Sequence, residues 1–196
     1  MQGVTSFIVE VEKEIKDTVK TESGIELFID NRFNEFEHRT TGGTIVSCPA
    51  KYDTGAKPGD TLFFHHLVVM DKTQRISCGD NKYEVTYSPD TPISSQAIAY
   101  KSEDTGEITP LSGWVLLLPD DTVEEEVKSD VIEIVKLEES PVFTGVVAFH
   151  CDVLEDLGIE VGDIVGFAKN RDYRIVIDDV EYYRVRAQDL LYVKEK

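Results

Sequence analysis

Histidines and cysteines are the residues of this sequence best suited to metal binding. His65 and His66 are adjacent, and Cys48 and Cys78 stand near them in the sequence. Their spacing matches no zinc-binding signature. Adjacent residues of a strand also point to opposite faces of its sheet. We therefore expect ordinary strand residues here and no metal site.

His150 and Cys151 form a second candidate, a Cys–His nucleophile. Such a pair needs a third group that orients the histidine, and the sequence shows no obvious one. Acidic residues are so numerous that no particular carboxylate pair stands out for acid–base chemistry. The sequence contains neither a phosphate-binding P-loop motif nor a dinucleotide fingerprint. An enzyme is the weakest hypothesis for this chain.

The composition limits the classes of partner. The 196 residues include 38 acidic and 20 basic ones, for a net charge of −18. Such a surface repels phosphate backbones, so we expect no nucleic-acid partner. The longest apolar runs, such as Trp114–Leu118, are too short to cross a bilayer, and the first residues lack the pattern of a secretory signal. We expect a cytoplasmic protein with reduced thiols and no membrane contact.

An internal repeat organises the chain. Gly59-Asp60 and Gly162-Asp163 each precede an apolar strand, and the two glycines stand 103 positions apart (162 − 59). A glycine-led strand, an apolar tripeptide and a first strand lie upstream in both halves. The further matched pairs are Gly43–Val46 with Gly145–Ala148, Ile25–Leu27 with Ile132–Ile134, and Phe7–Val11 with Trp114–Leu118, in which Val9 corresponds to Leu116. This ordered set indicates a tandem duplication.

Each half is predicted to be all-β. Short strands of β-branched and aromatic residues are bounded by turns, which is typical of a small barrel. Val153–Leu157 is the one segment that suggests a helical turn. The glycine of each Gly-Asp pair is expected to take a positive φ, and the aspartate to bond back to the backbone. A polar stretch from Tyr100 to Ser112 separates two units, which we place at residues 1–105 and 106–196.

Two long polar segments, residues 14–38 and 120–140, interrupt the strand pattern. The first carries the tripeptide Ile25-Glu26-Leu27 and the second carries Ile132-Glu133-Ile134, both flanked by charged residues. A loop this long within a compact unit is usually functional. An apolar patch on a mobile tether is typical of a recognition peptide that orders on docking. The alternative is an ordinary strand packed in the core, because alternating apolar residues also form strands.

The ordered motifs resemble those of the GroES-type, ten-kilodalton co-chaperonins. In the first half, the first strand Phe7–Val9 and the loop motif Gly24–Leu27 are similar to the N-terminal part of that family. The second half is similar to its C-terminal two-thirds. The motifs there are Gly145–Val147, Val161–Val165 with Phe167, Asp179 with Glu181–Tyr183, and Asp189–Val193. Together the two halves cover nearly the whole chain.

This resemblance implies two tandem GroES-like small β-barrels with long mobile loops. The loop residues Ile25, Glu26 and Leu27, and equally Ile132, Glu133 and Ile134, would dock on the apical domains of an ATP-bound GroEL-type chaperonin ring. The cap would enclose a folding chamber as a homo-oligomeric ring. It would perform no chemistry and need no cofactor.

The chain departs from the bacterial members in two respects. Only a short segment separates each glycine-led strand from its Gly-Asp turn, which resembles the phage-encoded co-chaperonins and would place the protein in a host cytoplasm. The second loop has Val131 where the first has Gly24, so its docking is less well supported. Because a fold does not determine a function, a phage virion or assembly protein built from such barrels is the alternative.

Overall fold

A computed structural model describes residues 2–15, 18–20, 26–28, 39–70, 73–76, 81–111, 113–119, 142–168, 171 and 173–194. The chain divides into two compact units, Met1–Ser112 and Gly113–Lys196. Each contains one six-stranded antiparallel sheet and few helices, so the all-β class expected from the sequence is confirmed. Within the described ranges, no helix has both the length and the apolar character needed to cross a lipid bilayer.

The strands of the first unit are β1 (Ser6–Glu10), β2 (Thr18–Lys20), β3 (Glu26–Phe28), β4 (Gly42–Ser47), β5 (Thr61–Phe64), β6 (Lys82–Thr86), β7 (Ala97–Lys101) and β8 (Ile108–Pro110), with the helix α1 (Leu67–Met70) and a 3₁₀ turn (Pro92–Ser94). Its six-stranded sheet has the order β6-β1-β4-β5-β7-β8. A separate two-stranded sheet, β2 with β3, stands between β1 and β4 in the chain.

The elements of the second unit are β9 (Trp114–Pro119), β10 (Val142–Phe149), α2 (Asp152–Asp156), β11 (Ile164–Ala168), β12 (Tyr173–Ile177), β13 (Val180–Arg186), a 3₁₀ turn (Ala187–Asp189) and β14 (Leu190–Val193). Its sheet has the order β12-β13-β9-β10-β11-β14. The helical turn expected at Val153–Leu157 is therefore present as α2.

The two units repeat one five-stranded arrangement. The order β6-β1-β4-β5-β7 in the first corresponds strand by strand to β13-β9-β10-β11-β14 in the second. The sequence alignment of the first strands is wrong by one residue. Val9 pairs with Ile45 and Tyr83, and the residue with the matching partners, Val147 and Tyr183, is Leu117 rather than Leu116. A slip of one residue exchanges the two faces of a strand, so strand pairing decides the alignment where apolar runs do not.

The two sheets also share β-bulges at equivalent places. One extra residue stands in β4 opposite β1, and in β10 opposite β9; these residues are Val46 and Ala148. Another stands in β7 opposite β5, and in β14 opposite β11; these are Ile98 and Leu191. A bulge bends a strand at a defined point, so the shared positions give the two sheets the same local bends.

The Gly-Asp turns form as the sequence predicts. Gly59 and Gly162 take φ values of 102° and 95°. The Asp60 carboxylate accepts a hydrogen bond from the Lys57 amide at 2.7 Å, and Asp163 accepts one from the Glu160 amide at 3.0 Å. Both aspartates are buried, and these bonds compensate for their desolvation.

Equivalent strand positions fill the two cores. The core of the first unit contains Phe7, Val9, Ile45, Leu62, Phe64 and Val85. The corresponding residues of the second unit are Val115, Leu117, Val147, Val165, Phe167 and Val185. Side chains alternate across each strand, so these residues share one face of each sheet. Ile8 and Leu116 are buried on the opposite faces.

Candidate docking hairpin

The described part of the first polar segment is an antiparallel hairpin. Thr18 pairs with Phe28, Val19 with Leu27, and Lys20 with Glu26. The hairpin pairs with no strand of the six-stranded sheet in the described residues. The sequence predicted a long loop without a strand pattern, and the structure instead places short strands at these positions.

Two apolar side chains of this hairpin face solvent. Leu27 is 52% exposed and Phe28 is 88% exposed. At this exposure, Phe28 gains almost none of the free energy that burial of its ring would contribute. Exposed apolar groups of this kind are typical of surfaces that bind another molecule. For Leu27, the alternative of an ordinary core strand does not hold.

The root of the hairpin is tied to the sheet. Ile15 and Arg39 form an antiparallel bridge, and the Thr40 amide donates to the Glu14 carbonyl at 3.0 Å. The Glu14 carboxylate accepts a hydrogen bond from the Tyr83 hydroxyl of β6. These bonds hold Glu14 and Ile15, which precede the hairpin in the chain, and Arg39 and Thr40, which follow it, beside the sheet.

Arg75 completes the root cluster. Its guanidinium lies 3.9 Å from the Glu14 carboxylate, and its backbone bridges to Tyr83. Burial raises the pKa of the Tyr83 phenol to about 12, and the hydrogen bond to Glu14 adds to this. The phenol therefore stays protonated and able to donate to Glu14 at neutral pH.

No family model and no curated protein matches the chain. Its function is therefore inferred from its own residues.

The predicted docking residues are only partly within the described chain. Leu27 and the backbone of Glu26 lie in β3. Ile25 of the first tripeptide lies outside the described residues. The whole second tripeptide, Ile132, Glu133 and Ile134, also lies outside them. The structure thus places one of the six predicted side chains, and that one is half exposed.

His65 and His66 do not lie in a strand, contrary to the prediction from the sequence. The rings of His65 and His66 lie with their centroids 4.4 Å apart at an angle of 30°. Strand β5 ends at Phe64, so the strand rule does not apply to them. Among the described residues, no group of three or more His, Cys, Asp or Glu side chains is placed to hold a metal ion. Cys78 lies outside that part of the chain.

The cysteine environments do not favour a nucleophile. Burial, and then the charge of Asp60, raises the pKa of the Cys48 thiol, which donates to the Ala56 carbonyl at 3.2 Å. Burial likewise raises the pKa of Cys151. The Nδ1 atom of His150 lies 3.3 Å from the Cys151 carbonyl oxygen. Reactive cysteines need the opposite shift of pKa.

Sequence reasoning missed the root cluster of Glu14, Arg75 and Tyr83. These residues are far apart in the chain, and strand pairing brings them together. One signal was present, because a tyrosine at a core position of a strand needs a partner for its hydroxyl. Which residue would be that partner depends on the path of the chain after β1, which local patterns do not predict.

Proposed function

We propose that this chain is a co-chaperonin that caps a GroEL-type chaperonin ring in its ATP-bound state. It consists of two tandem GroES-like small β-barrels and assembles into a homo-oligomeric ring in the cytoplasm. It assists protein folding by closing a chamber and catalyses no reaction. The hairpin with Leu27 and Phe28 is the docking element of the first unit, and the segment with Ile132 and Ile134 is that of the second.

The observation that carries this proposal is the exposure of Leu27 and Phe28 on a hairpin with a fixed root. Burying a Leu or Phe side chain on a partner contributes roughly 1.5 to 3 kcal/mol. A single hairpin with so few anchors binds weakly, because ordering the segment costs a few kcal/mol. Several hairpins on one ring bind tightly together and still release one by one. Weak individual contacts with strong total binding suit a cap that must detach in each cycle.

The repeated strand arrangement supports a cap built of two like units. The tripeptides stand between the first two strands of the repeat in both units, β1 and β4 in one, β9 and β10 in the other. Two docking elements in equivalent places would contact two equivalent sites of a symmetric ring. A module whose only role was structural would not require the tripeptide twice.

Native mass spectrometry with a GroEL-type ring, with and without ATP, tests the proposal. The wild-type chain should bind the ring only with ATP. The double variant Ile25→Ser, Leu27→Ser should lose capture. The loss should be roughly a hundredfold or more per hairpin, because two anchors at about 1.5 kcal/mol each contribute about 3 kcal/mol.

Leu67→Ser is the matched control, because Leu67 is 48% exposed but lies in α1. It should bind like wild type. Thermal melting of all three proteins separates lost docking from lost folding. A double variant that melts normally and is captured as well as wild type would contradict the docking role of this hairpin.

A phage virion or assembly protein is the second candidate. The favouring observation is the end strand β14, where Leu191, Tyr192 and Val193 expose apolar side chains at an edge that no other described strand covers. Such an edge is suited to pairing between subunits in a larger assembly. An assembly protein should form higher oligomers but ignore the chaperonin ring with or without ATP, so the same experiment distinguishes the two candidates.

A further inference from the structure

Arginine and aromatic side chains alternate across three strands of the second unit. The guanidinium carbon of Arg184 lies 5.4 Å from the ring centre of Tyr173 and 5.8 Å from that of Trp114. That of Arg186 lies 3.9 Å from the ring centre of Trp114. The order in space is therefore Tyr173, Arg184, Trp114, Arg186, which we call the arginine–aromatic ladder.

Strand register explains how the ladder forms. Arg184 of β13 pairs with Tyr173 of β12, and Arg186 pairs with Trp114 of β9. The intervening Val185 belongs to the core, so the ladder lies on the opposite face of the sheet. Cation–π attraction favours this stacking of guanidinium and ring.

The ladder contains buried donors without acceptors. Arg184 is only 3% exposed, yet its Nε and Nη1 atoms have no hydrogen-bond partner among the described residues. The Nε1 atom of Trp114 is also buried without one. Native proteins pair nearly all such groups, and a buried charge without an acceptor is especially costly. Three unpaired donors, two on the Arg184 guanidinium and one on the Trp114 indole, therefore indicate an acceptor that the described residues do not supply.

The charge state fits an anionic acceptor. Burial lowers the pKa of Arg184 to about 10, and it lowers that of Arg186 to about 10 as well. Both guanidinium groups thus stay charged at neutral pH, in a chain whose net charge is −18. That overall field disfavours anions of higher charge, so a single negative charge is the better match.

The geometry points to a carboxylate-binding site at Arg184 and Trp114. A carboxylate is planar, carries one charge and accepts several hydrogen bonds, which suits a guanidinium edge and an indole N–H. Tyr173 lies on the end strand β12 and is more than half exposed, so the ladder reaches solvent beside Arg184. The carboxylate comes either from a small molecule or from an acidic side chain of a second copy of this chain.

Trp114 is the only tryptophan of the chain, so its fluorescence and its single indole N–H signal report on this site alone. Dilute protein is titrated with sodium acetate at constant ionic strength, with sodium chloride as the reference. Acetate should change both signals saturably, and chloride should not. Arg184→Met should weaken the apparent affinity for acetate by roughly tenfold to a hundredfold, the range for lost charged hydrogen bonds.

Arg174→Met is the matched control, because Arg174 is an exposed arginine of β12 whose guanidinium bonds to Glu181 at 2.9 Å. It should bind acetate like wild type. If Arg184→Met does not fold, the indole N–H signal of the wild-type protein is the test. A saturable shift with acetate supports the site, and the absence of a shift contradicts it.

A second arm raises the protein concentration without acetate. If the indole signals change as the protein concentration rises, and added acetate reverses that change, the carboxylate comes from a second copy of the chain. Signals that change only with acetate identify a small molecule. If neither acetate nor protein concentration moves the indole signal, or if chloride moves it equally, the site does not bind a carboxylate.

Discussion

At the scale of single residues, Tyr83 and Tyr183 offer a controlled comparison. They occupy equivalent positions in the two units, opposite Val9 and Leu117. Tyr83 donates to Glu14, whereas the described residues give the Tyr183 hydroxyl no hydrogen bond. Tyr83 is buried, whereas Tyr183 is partly buried and its ring contacts Phe167 and Arg174. The pair therefore compares a tyrosine that makes this hydrogen bond with an equivalent one that does not.

Tyr83→Phe should lower the free energy of unfolding by about 1.5 kcal/mol, the lower end for bonds to a charged group, because Glu14 is partly exposed and water can replace the phenol. Tyr183→Phe should change it by much less. Urea unfolding of both variants measures the two changes in the free energy of unfolding. Equal changes would show that the hydrogen bond from Tyr83 to Glu14 does not stabilise the fold. Hydrogen exchange at the Thr40 amide should also speed up in Tyr83→Phe alone.

The Tyr83 phenol also predicts a dependence on alkaline pH. Its pKa lies above the ordinary value of 10.0, at about 12, because burial and the bond to Glu14 favour the neutral form. A raised pKa in the folded state contributes stability that is complete below pH 10 and disappears as the pH rises through 12.

The measurement is the difference in unfolding free energy between wild type and Tyr83→Phe, followed from pH 9 to pH 12 by urea unfolding. A difference is needed because the pKa values of Arg184 and Arg186, lowered to about 10, act in the same window with the opposite sign. The advantage of wild type should shrink as the pH rises. An advantage that stays constant would show that Tyr83 titrates normally.

At the scale of elements, the Gly-Asp turns were predictable and their energetic basis can be tested. Gly162 has a φ of 95°, and a Cβ built there would meet no atom within 4 Å. Gly162→Ala should therefore cost only backbone strain, about 1 to 2 kcal/mol. Gly42→Ala is the control, because its Cβ would make ordinary contacts at 3.5 Å and its φ is not left-handed. Equal melting temperatures for the two variants would show that alanine at position 162 does not strain the backbone.

The elements divide into those that local patterns predict and those that they do not. The all-β class and the helical turn α2 follow from short-range patterns and turn residues. The alignment of β1 with β9 failed by one residue, because Trp114–Leu118 is apolar throughout and offers no alternation. Strand pairing supplied the correct partner, Leu117.

The candidate site was predicted in part for a similar reason. Composition and length identified residues 14–38 as unusual and selected Leu27, which the structure leaves half exposed. The strands β2 and β3 were missed because three-residue strands carry too few residues to show a period. The arginine–aromatic ladder depends on the register of three strands, so no local pattern could have predicted it.

At the scale of the whole molecule, each sheet ends in two edge strands. In the described part of the chain these are β6 and β8 in the first unit, and β12 and β14 in the second. Edge strands pair readily with other chains unless charges or bulges prevent it. The strand β14 carries only a bulge at Leu191 and exposes apolar side chains beside it. We therefore expect subunits to join through this edge.

Leu191→Lys tests this assembly. Leu191 is 56% exposed on β14, so lysine should be tolerated in the folded unit but should oppose pairing at the edge, because lysine keeps its charge in water. Ile93→Lys is the matched control, since Ile93 is exposed in a 3₁₀ turn of the first unit and belongs to no sheet. Mass photometry at micromolar concentration should show oligomers for wild type and Ile93→Lys, and smaller species for Leu191→Lys, with similar melting temperatures for all three.

Each copy carries a charge of −18, so added salt should strengthen the wild-type oligomer by screening repulsion between copies. A wild-type protein that is monomeric at every salt concentration, or a Leu191→Lys variant that assembles fully, would exclude β14 as the joining edge.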